Sequence, residues 1–202
     1  MSKGVLIVIS GPSGGGKGTV VRRVREMLPD IGFSVSATTR PPRPGEVDGV
    51  HYHFVTRAEF QRMIAENGVL EYNVYNGNYY GSPRGPIEEE LRKGHDVILE
   101  IETNGAGHIR RMFPSALSIF VLPPTFEELK KRLIGRGTES PEEIQARLEK
   151  GRKEIEMALD YDYIVVNDQV ETAACRLAEI IRSARWSKKF NQSFIQEVLN
   201  NA

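Results

Sequence analysis

The chain contains the stretch Gly11-Pro12-Ser13-Gly14-Gly15-Gly16-Lys17-Gly18-Thr19, which directly follows the apolar run Val5-Leu6-Ile7-Val8-Ile9. The residues after Thr19 take up helical spacing, so the pattern predicts a buried strand, a glycine-rich turn and a helix. Such a turn directs several backbone N–H groups inward at the start of the helix, where an oligophosphate can bind. The glycines are needed because side chains would block close approach and some positions need a positive φ.

Lys17 adds a positive charge for the outer phosphates of such a ligand. A ligand-free turn is the alternative, but the lysine and the preceding strand stand where a phosphate-binding loop requires them. The usual loop has Ser or Thr directly after the lysine, whereas here Gly18 comes first and Thr19 follows. Thr19 is therefore the nearest hydroxyl for a magnesium ion. The Gly-Lys-Gly-Thr ending resembles the loops of nucleoside monophosphate kinases.

The composition limits the possible functions of the 202-residue chain. Its length fits one substantial α/β core with small insertions. Lys plus Arg and Asp plus Glu each total 27, so no global positive field indicates nucleic acid or a membrane surface as a partner. The longest apolar runs are strand-sized, far below the ~20 residues of a membrane span. We therefore expect a cytoplasmic protein in which local clusters bind anions.

The cysteine and histidine residues indicate neither a disulfide framework nor a metal site. The single cysteine, Cys175, excludes an internal disulfide framework, and its alanine- and leucine-rich surroundings predict a buried packing role. The four histidines form no set with metal-ligand spacing.

Strand and helix patterns alternate over most of the chain. Strands are predicted at 5–9, 33–36, 96–102, 117–122 and 163–167, and helices at 17–28, 86–93, 105–112, 125–134, 140–159 and 171–185. The helix from Ser140 carries Ile144, Leu148, Ile155 and Leu159 on one stripe. This alternation predicts an α/β fold, with a parallel sheet covered by helices on both faces.

Two segments differ from that pattern. Short strand patterns at 51–55, 69–72 and 78–81, with a turn at Asn76-Gly77, predict a small antiparallel sheet inserted into the core. After Trp186, apolar residues at helical spacing predict a last helix that either docks onto the core or binds a partner. These residues are Phe190, Phe194, Ile195, Val198 and Leu199.

The segment 38–54 carries two arginines, Arg40 and Arg43, on a loop that Pro41, Pro42 and Pro44 stiffen. With Tyr52 nearby they can form a rigid clamp for a dianion, because guanidinium groups bind phosphate through paired hydrogen bonds. Two solvated surface arginines are the alternative on these residues alone.

This segment resembles the signature of the guanylate kinase family, from Thr38-Thr39-Arg40 through Arg43 to Tyr52. Together with the loop at Gly11 and the strand order, the similarity covers the chain up to about Arg185. The resemblance implies a P-loop kinase core over 1–36 and 86–185, with a helical lid at about 132–147. It also implies a small mixed α/β insert that binds GMP over 37–85, and a C-terminal helical extension over 186–202.

The resemblance further implies two sets of GMP ligands. The phosphate would be held by Arg40, Arg43, Tyr52 and Tyr80, and the base would be read by Ser36, Glu71, Ser82 and Glu102. Guanine presents two N–H donors beside one carbonyl, so ionised carboxylates suit its recognition. Adenine would leave a buried carboxylate poorly paired. Without the resemblance, Glu71 would be an ordinary exposed strand residue.

The ATP side follows from the same resemblance. Its ligands would be Gly11, Pro12, Ser13, Gly14, Gly15, Gly16, Lys17, Gly18, Thr19, Arg132, Arg136 and Asn167. Glu100 would face magnesium or Lys17, and an acidic pair with Glu102 at a strand end needs cationic or donor partners. On its own, Arg132 fits a solvated helix face equally well.

The implied activity is transfer of the γ-phosphoryl group of ATP to GMP, and also to dGMP, with magnesium. Catalysis would consist of positioning and charge stabilisation by Lys17, Arg40, Arg43, Arg136 and Arg147. A non-catalytic guanylate-kinase-like module that binds proteins is one alternative, although such modules typically lack an intact phosphate loop. A kinase for another small substrate is the second. The sequence leaves open whether the protein is a monomer or a homo-oligomer.

Overall fold

A computed structural model describes residues 4–135 and 140–201 of the chain. The strands are β1 (Leu6–Ser10), β2 (Gly32–Phe33), β3 (Ala37–Thr38), β4 (His53–Phe54), β5 (Val69–Tyr75), β6 (Asn78–Pro83), β7 (Val97–Glu100), β8 (Leu117–Leu122) and β9 (Tyr163–Val166). The α-helices are α1 (Lys17–Met27), α2 (Arg57–Ala65), α3 (Arg84–Arg92), α4 (Thr103–Met112), α5 (Phe126–Ile134), α6 (Pro141–Glu156), α7 (Val170–Ser183) and α8 (Gln192–Asn200).

Five strands form one sheet in the order β2-β7-β1-β8-β9. The pairings of β2 with β7, β1 with β8 and β8 with β9 are parallel, with Ile9 opposite Ile119 and Phe120 opposite Ile164. Every residue of β1 is buried, as a strand covered on both faces requires. The predicted α/β fold with a parallel sheet flanked by helices is confirmed.

The chain divides into two compact units. The first unit takes in the chain up to Leu6 and Ile31–Leu99, and the second takes in Ile7–Asp30 and the chain from Glu100 onward.

The first unit contains a four-stranded sheet in the order β4-β3-β6-β5. Its predicted antiparallel character is wrong for one pairing, because β3 and β4 run parallel. A loop of 14 residues, 39–52, joins these two strands, and parallel neighbours need such a crossover whereas a tight hairpin makes them antiparallel. The turn at Asn76-Gly77 is as predicted, with φ values of 47° and 74° at the two residues.

In the second unit, helices pack against each other through apolar residues that recur at helical spacing in the sequence. Leu129 and Leu133 of α5 are buried with Leu148 of α6. The capping box at Ser140 opens α6 as predicted, with Pro141 at its first position. Leu159, which the predicted stripe included, is 94% exposed, because α6 ends at Glu156 and a 3₁₀ helix then changes the period.

Cys175 is exposed, so the predicted packing role is wrong. The buried face of α7 is formed by residues at helical spacing, and position 175 falls on its other side. These buried residues are Ala173, Ala174, Leu177, Ala178 and Ile181.

The C-terminal segment forms the predicted last helix, α8, but of the two alternatives docking onto the core is not observed for this helix. No residue of α8 is buried, and the exposed fraction is 61% for Phe194, 54% for Val198 and 62% for Leu199. The segment before α8 is attached, since Lys189 Nζ lies 2.9 Å from Asp162 Oδ2. Over residues 4–135 and 140–201, no helix is long and apolar enough to cross a membrane.

Candidate active site

The glycine-rich loop joins the carboxyl end of β1 to the start of α1. Gly15 N–H donates to Pro12 O at 2.9 Å, which closes a tight turn within the loop. Gly16 is the N-cap of α1, and its φ of 82° is left-handed. A Cβ at Gly16 would lie 2.4 Å from Asn167 Nδ2, so both the backbone conformation and the available space require glycine here.

The carbonyl of Gly15 is held from two sides. Arg132 Nη1 donates to it at 3.2 Å, and Asn167 Nδ2 donates to it at 2.9 Å. The carbonyl and N–H of one trans peptide point in opposite directions. The N–H of Gly16 therefore points away from Arg132 and Asn167, which fixes the orientation of this part of the loop.

Arg132 does not lie on a solvated helix face. Besides its bond to the loop, it donates from Nε to Glu128 Oε1 at 2.8 Å and from Nη2 to Asn167 O at 3.0 Å. Asn167 is itself only 3% exposed. The two side chains thus brace the loop from the end of α5 and the end of β9.

Glu100, the last residue of β7, and Glu102, two residues later, each form an ion pair with a lysine. Lys17 Nζ lies 2.9 Å from Glu100 Oε1, and Lys150 Nζ lies 3.2 Å from Glu102 Oε2. The expectation that this acidic pair needs cationic partners is confirmed. Burial alone would lower the pKa of Lys150, but the carboxylates of Glu102 and Glu154 outweigh it and raise that pKa above its ordinary value.

Two side chains of α6 contact Ser13, one at its backbone N–H and one at its hydroxyl. Its N–H donates to Glu154 Oε2 at 3.1 Å, and Arg147 Nη1 donates to its Oγ at 3.4 Å. These contacts place Arg147, predicted from the sequence, next to the loop. They also add Glu154, which was not predicted.

A cavity of about 410 Å³ opens over the loop in the second unit. It is lined by Gly11, Pro12, Ser13, Gly14, Gly16, Lys17, Gly18, Thr19, Arg22, Glu102 and Glu154. Its backbone N–H groups and Lys17 suit an oligophosphate. Arg136, predicted as a catalytic and ATP-binding residue, lies outside the described residues.

In the first unit, Arg40 is the centre of a cluster of polar and aromatic groups. Its Nη1 and Nη2 donate to the two carboxylate oxygens of Glu46 at 2.8 and 2.9 Å. Its guanidinium carbon lies 5.4 Å from the ring centre of Tyr52, whose ring is 6.1 Å from that of Tyr80. The structure thus brings together three of the four residues predicted to hold a phosphate.

A tight turn brings Glu46 back to Arg40. Pro44 and Gly45 form the corner, with a φ of 84° at Gly45, and Glu46 N–H donates to Arg43 O at 3.0 Å. Arg43 N–H in turn donates to Glu46 Oε2 at 2.7 Å. The hydrogen bonds from Arg40 and Arg43 lower the pKa of Glu46 from 4.5 to about 2, so it stays ionised. The Arg43 side chain is exposed.

Two of the residues predicted to read the base also meet in the first unit. Ser82 Oγ donates to Glu71 Oε1 at 2.6 Å, and Ser82 is fully buried while Glu71 is half-buried. Ser36 accepts a hydrogen bond at its backbone carbonyl from His53 N–H. Glu102 lies in the second unit, in the ion pair described above.

Sequence reasoning missed three charged residues, Glu46, Lys150 and Glu154. For Glu46 a signal exists, because Pro44-Gly45 after Arg43 predicts a turn, and a turn brings the side chain of Glu46 back toward Arg40. For Glu154 the only local signal is its helical spacing with Arg147, seven residues earlier. Its partner Ser13 is 141 residues away in sequence.

A glycine-rich loop with a lysine, at the end of the first strand of a parallel sheet, defines the class of P-loop nucleotide-binding proteins. The Gly-Lys-Gly-Thr ending is like that of the nucleoside monophosphate kinases within this class. The profile that describes guanylate kinases matches residues 3–184. The chain therefore belongs to the guanylate kinase family, and it is an enzyme.

Individual relatives agree with this assignment. The chain is 50% identical over 178 residues to a guanylate kinase of Desulfitobacterium hafniense, with 88% of this chain and 89% of the relative covered. It is 47% identical to one of Symbiobacterium thermophilum, with 98% and 93% covered. A crystal structure of guanylate kinase from Anaplasma phagocytophilum matches with a TM-score of 0.76 at 35% identity, covering 94% of this chain and 90% of that one.

Proposed function

We propose that the protein transfers the γ-phosphoryl group of ATP to GMP and releases ADP and GDP. The observation that carries this proposal is the intact phosphate loop, with Lys17 beside Glu100 at its end. A protein-binding module has no need for such a loop, so this alternative is not favoured. The names of the relatives support GMP as the acceptor.

On the donor side, the loop residues Gly11–Thr19 bind the ATP phosphates through backbone N–H groups, and Lys17 neutralises the outer phosphates. Arg147, beside Ser13, adds positive charge at the same loop. Arg132 and Asn167 hold the loop in shape as well as contributing to the ATP site. Arg136 is proposed for the same role by the family resemblance alone.

On the acceptor side, Arg40, Arg43, Tyr52 and Tyr80 bind the phosphate of GMP. Glu71 accepts from the N–H groups of guanine while Ser82 donates to its other oxygen, and Ser36 and Glu102 complete the recognition of the base. Both carboxylates act as acceptors, which selects guanine over adenine. The family resemblance extends the proposal to dGMP as a second acceptor.

A magnesium ion accompanies ATP in this proposal. The donor set fits, because Mg²⁺ is usually held by one or two protein oxygens together with substrate phosphates and water. Thr19 lines the cavity, and the Glu100 carboxylate lies beside Lys17. Across 4–135 and 140–201, no cluster of three or more acidic, histidine or cysteine side chains offers a cage of protein ligands. When bound, the ion neutralises phosphate charge during transfer.

The predicted division into a core (1–36 and 86–185), a GMP-binding insert (37–85), a lid (132–147) and an extension (186–202) stands as part of this proposal. So does a cytoplasmic location, because a single cysteine fits a reducing compartment.

An acceptor panel tests the function. The protein is assayed with ATP and magnesium in a coupled ADP-release assay against GMP, dGMP, AMP, CMP and UMP. We expect turnover with GMP and dGMP at a kcat/KM at least about 100-fold above that for AMP. Turnover of another monophosphate in preference to GMP would identify a different kinase, and no turnover would restore the binding-module alternative.

Replacing Gly16 with alanine is expected to weaken ATP binding. The new Cβ meets Asn167 Nδ2 and displaces it from Gly15 O, so the loop loses one brace. We expect the KM for ATP to rise about tenfold, with the KM for GMP nearly unchanged, as steady-state kinetics will show.

Gly77→Ala is the matched control for Gly16→Ala. Gly77 also has a left-handed φ, of 74°, but a Cβ at this position would point into open space, with no neighbouring atom within 4 Å. This variant therefore carries the backbone strain without the clash. An equal rise in the KM for ATP in both variants would contradict the role of the Asn167 brace.

Replacing Glu46 with glutamine is expected to weaken GMP binding. The carboxylate accepts hydrogen bonds from the Arg40 guanidinium and from the N–H of Arg43. Its loss therefore leaves both arginines less well positioned to bind a phosphate. We expect the KM for GMP to rise about five- to tenfold. A fall in this KM would mean instead that Glu46 competes with GMP for Arg40. Glu88→Gln, which breaks an exposed pair with Arg84, is the control.

The same pair gives a pH-dependent stability. Because the folded pKa of Glu46 is about 2, below its ordinary 4.5, the pair stabilises the fold fully above pH 4.5. The contribution is lost as the pH falls toward 2. Urea midpoints should therefore differ most between the wild type and Glu46→Gln above pH 4.5, and the difference should shrink on acidification. A difference that grows toward low pH would contradict this assignment.

A further inference from the structure

The helix α6 presents one polar face built from Arg147, Lys150 and Glu154. Their spacing of three and then four residues places them on the same side of the helix. Arg147 contacts Ser13 Oγ, Lys150 pairs with Glu102, and Glu154 accepts from Ser13 N–H. A single helix face therefore contacts both the phosphate loop and the acidic residue that follows β7.

Glu154 is the buried member of this face. Its exposed fraction is 6%, whereas charged side chains are almost never buried without a partner. A buried carboxylate costs free energy unless hydrogen bonds and an opposite charge compensate it. Here Ser13 N–H lies 3.1 Å from Oε2 and Lys150 Nζ lies 3.5 Å from Oε1. Both carboxylate oxygens are thus used.

The placement of this carboxylate is informative because it lines the cavity assigned to phosphates. A negative charge there opposes anion binding. Its presence calls for a nearby positive charge that offsets it and for another purpose that the carboxylate serves. Lys150, which also pairs with Glu102, supplies an offsetting positive charge. The other purpose is visible in the bond to Ser13, since a carboxylate that accepts from a backbone N–H makes a strong, charge-assisted hydrogen bond.

This bond acts on the part of the loop that Arg132 and Asn167 do not reach. Those two side chains hold the carbonyl of Gly15. Glu154 holds the N–H of Ser13, two residues earlier. With Pro12 O bonded to Gly15 N–H in the turn, the loop is fixed at both ends of the turn.

We propose that Glu154 is a positioning residue for the phosphate loop, which acts through the Ser13 N–H while Lys150, shared with Glu102, offsets part of its charge. The inference rests on the proposed function only in taking an adenine nucleotide as the ligand of the loop. Removal of Glu154 leaves the Pro12–Ser13 peptide held only from its carbonyl side, by the bond from Gly15 N–H to Pro12 O. The peptide is then less firmly oriented, so the cost falls on binding of the nucleotide phosphates.

The test uses the full chain with Glu154→Ala and Glu154→Gln, and Glu156→Gln as the control on the same helix, where the side chain is exposed. Isothermal titration with ADP, without GMP, measures the loop directly. We expect the Kd to rise about tenfold for Glu154→Ala. A smaller rise is expected for Glu154→Gln, because its amide oxygen can still accept from Ser13 N–H.

Steady-state kinetics provide the second readout. We expect the KM for ATP to follow the Kd for ADP in the order wild type, Glu154→Gln, Glu154→Ala. The KM for GMP should stay within about twofold. Because ADP titration needs no acceptor, the inference can fail while GMP turnover persists, and GMP turnover can fail while the inference holds.

Unchanged ADP binding by folded Glu154→Ala and Glu154→Gln would overturn the proposal, since a residue that only stabilises the fold lowers the thermal midpoint without changing Kd. If neither variant folds, Glu154→Asp decides. It keeps the buried charge but draws the oxygen back from Ser13, so the proposal requires weaker ADP binding. Unchanged binding, or failure of this variant to fold, would assign Glu154 to stability alone.

Discussion

Replacing Lys17 with alanine is expected to lower kcat for GMP phosphorylation by about 100- to 1000-fold. Phosphoryl transfer depends on positive charge around the transferring group, and Lys17 is the lysine of the phosphate loop. Its side chain is 18% exposed and paired with Glu100, so its charge is held at the loop before ATP binds. The KM for GMP should change little. Steady-state kinetics with each substrate varied in turn will measure both effects.

Lys153→Ala is the control for this variant, because Lys153 is an exposed lysine on α6. Its kcat should equal that of the wild type. The thermal midpoint of Lys17→Ala should fall little, since the Glu100 side chain is 32% exposed and water can solvate it when the lysine is removed. A kcat within about tenfold of the wild type would contradict the role assigned to Lys17.

Replacing Glu71 with glutamine is expected to remove much of the preference for GMP over AMP. In the native protein, Ser82 donates to one carboxylate oxygen at 2.6 Å, and we assign the other oxygen to the guanine N–H groups. A glutamine directs an NH₂ group into the same space, where it opposes the guanine donors and can pair with an adenine acceptor. The kcat/KM for GMP should fall roughly 10- to 100-fold.

The GMP-to-AMP ratio of kcat/KM is the decisive readout for Glu71, because general loss of activity leaves that ratio unchanged. Glu66→Gln, at the exposed end of α2, makes the same chemical change in the same unit and should behave like the wild type. An unchanged ratio in Glu71→Gln would show that Glu71 does not read the base.

The parallel sheet, the phosphate loop and most helix limits could be predicted because their signals are local. Buried strands appear as continuous apolar runs, and a glycine-rich turn with a lysine has few other uses. The left-handed φ at Gly16 agrees with the expectation that some positions of this turn need a positive φ. The capping box at Ser140 predicted the start of α6 to the residue.

The charged partners of the site could not be predicted, because they are distant in sequence. Glu154 meets Ser13 and Lys150 meets Glu102 only after the chain has folded. A charged residue on a helix is by default solvated, so nothing in the sequence of α6 marks Glu154 as buried. Glu46 is closer to Arg40, but only the turn at Gly45 shows that the two side chains meet.

The exposure of Cys175 and that of α8 have a common cause. The sequence indicates which residues are apolar but not which helix face meets another element. Cys175 lies one position away from the buried stripe of α7, and the apolar residues of α8 remain exposed. In both helices the outcome depends on packing partners that periodicity does not specify.

Transfer of label from ATP bearing a radioactive γ-phosphate tests the central claim most directly. The wild-type protein is incubated with this ATP, magnesium and GMP, and the products are separated. We predict that the label appears in GDP, with one labelled phosphate for each GMP consumed and none without GMP. Label released as inorganic phosphate while GMP stays unchanged, or label retained in ATP, would contradict the assignment of this chain as a phosphotransferase acting on GMP.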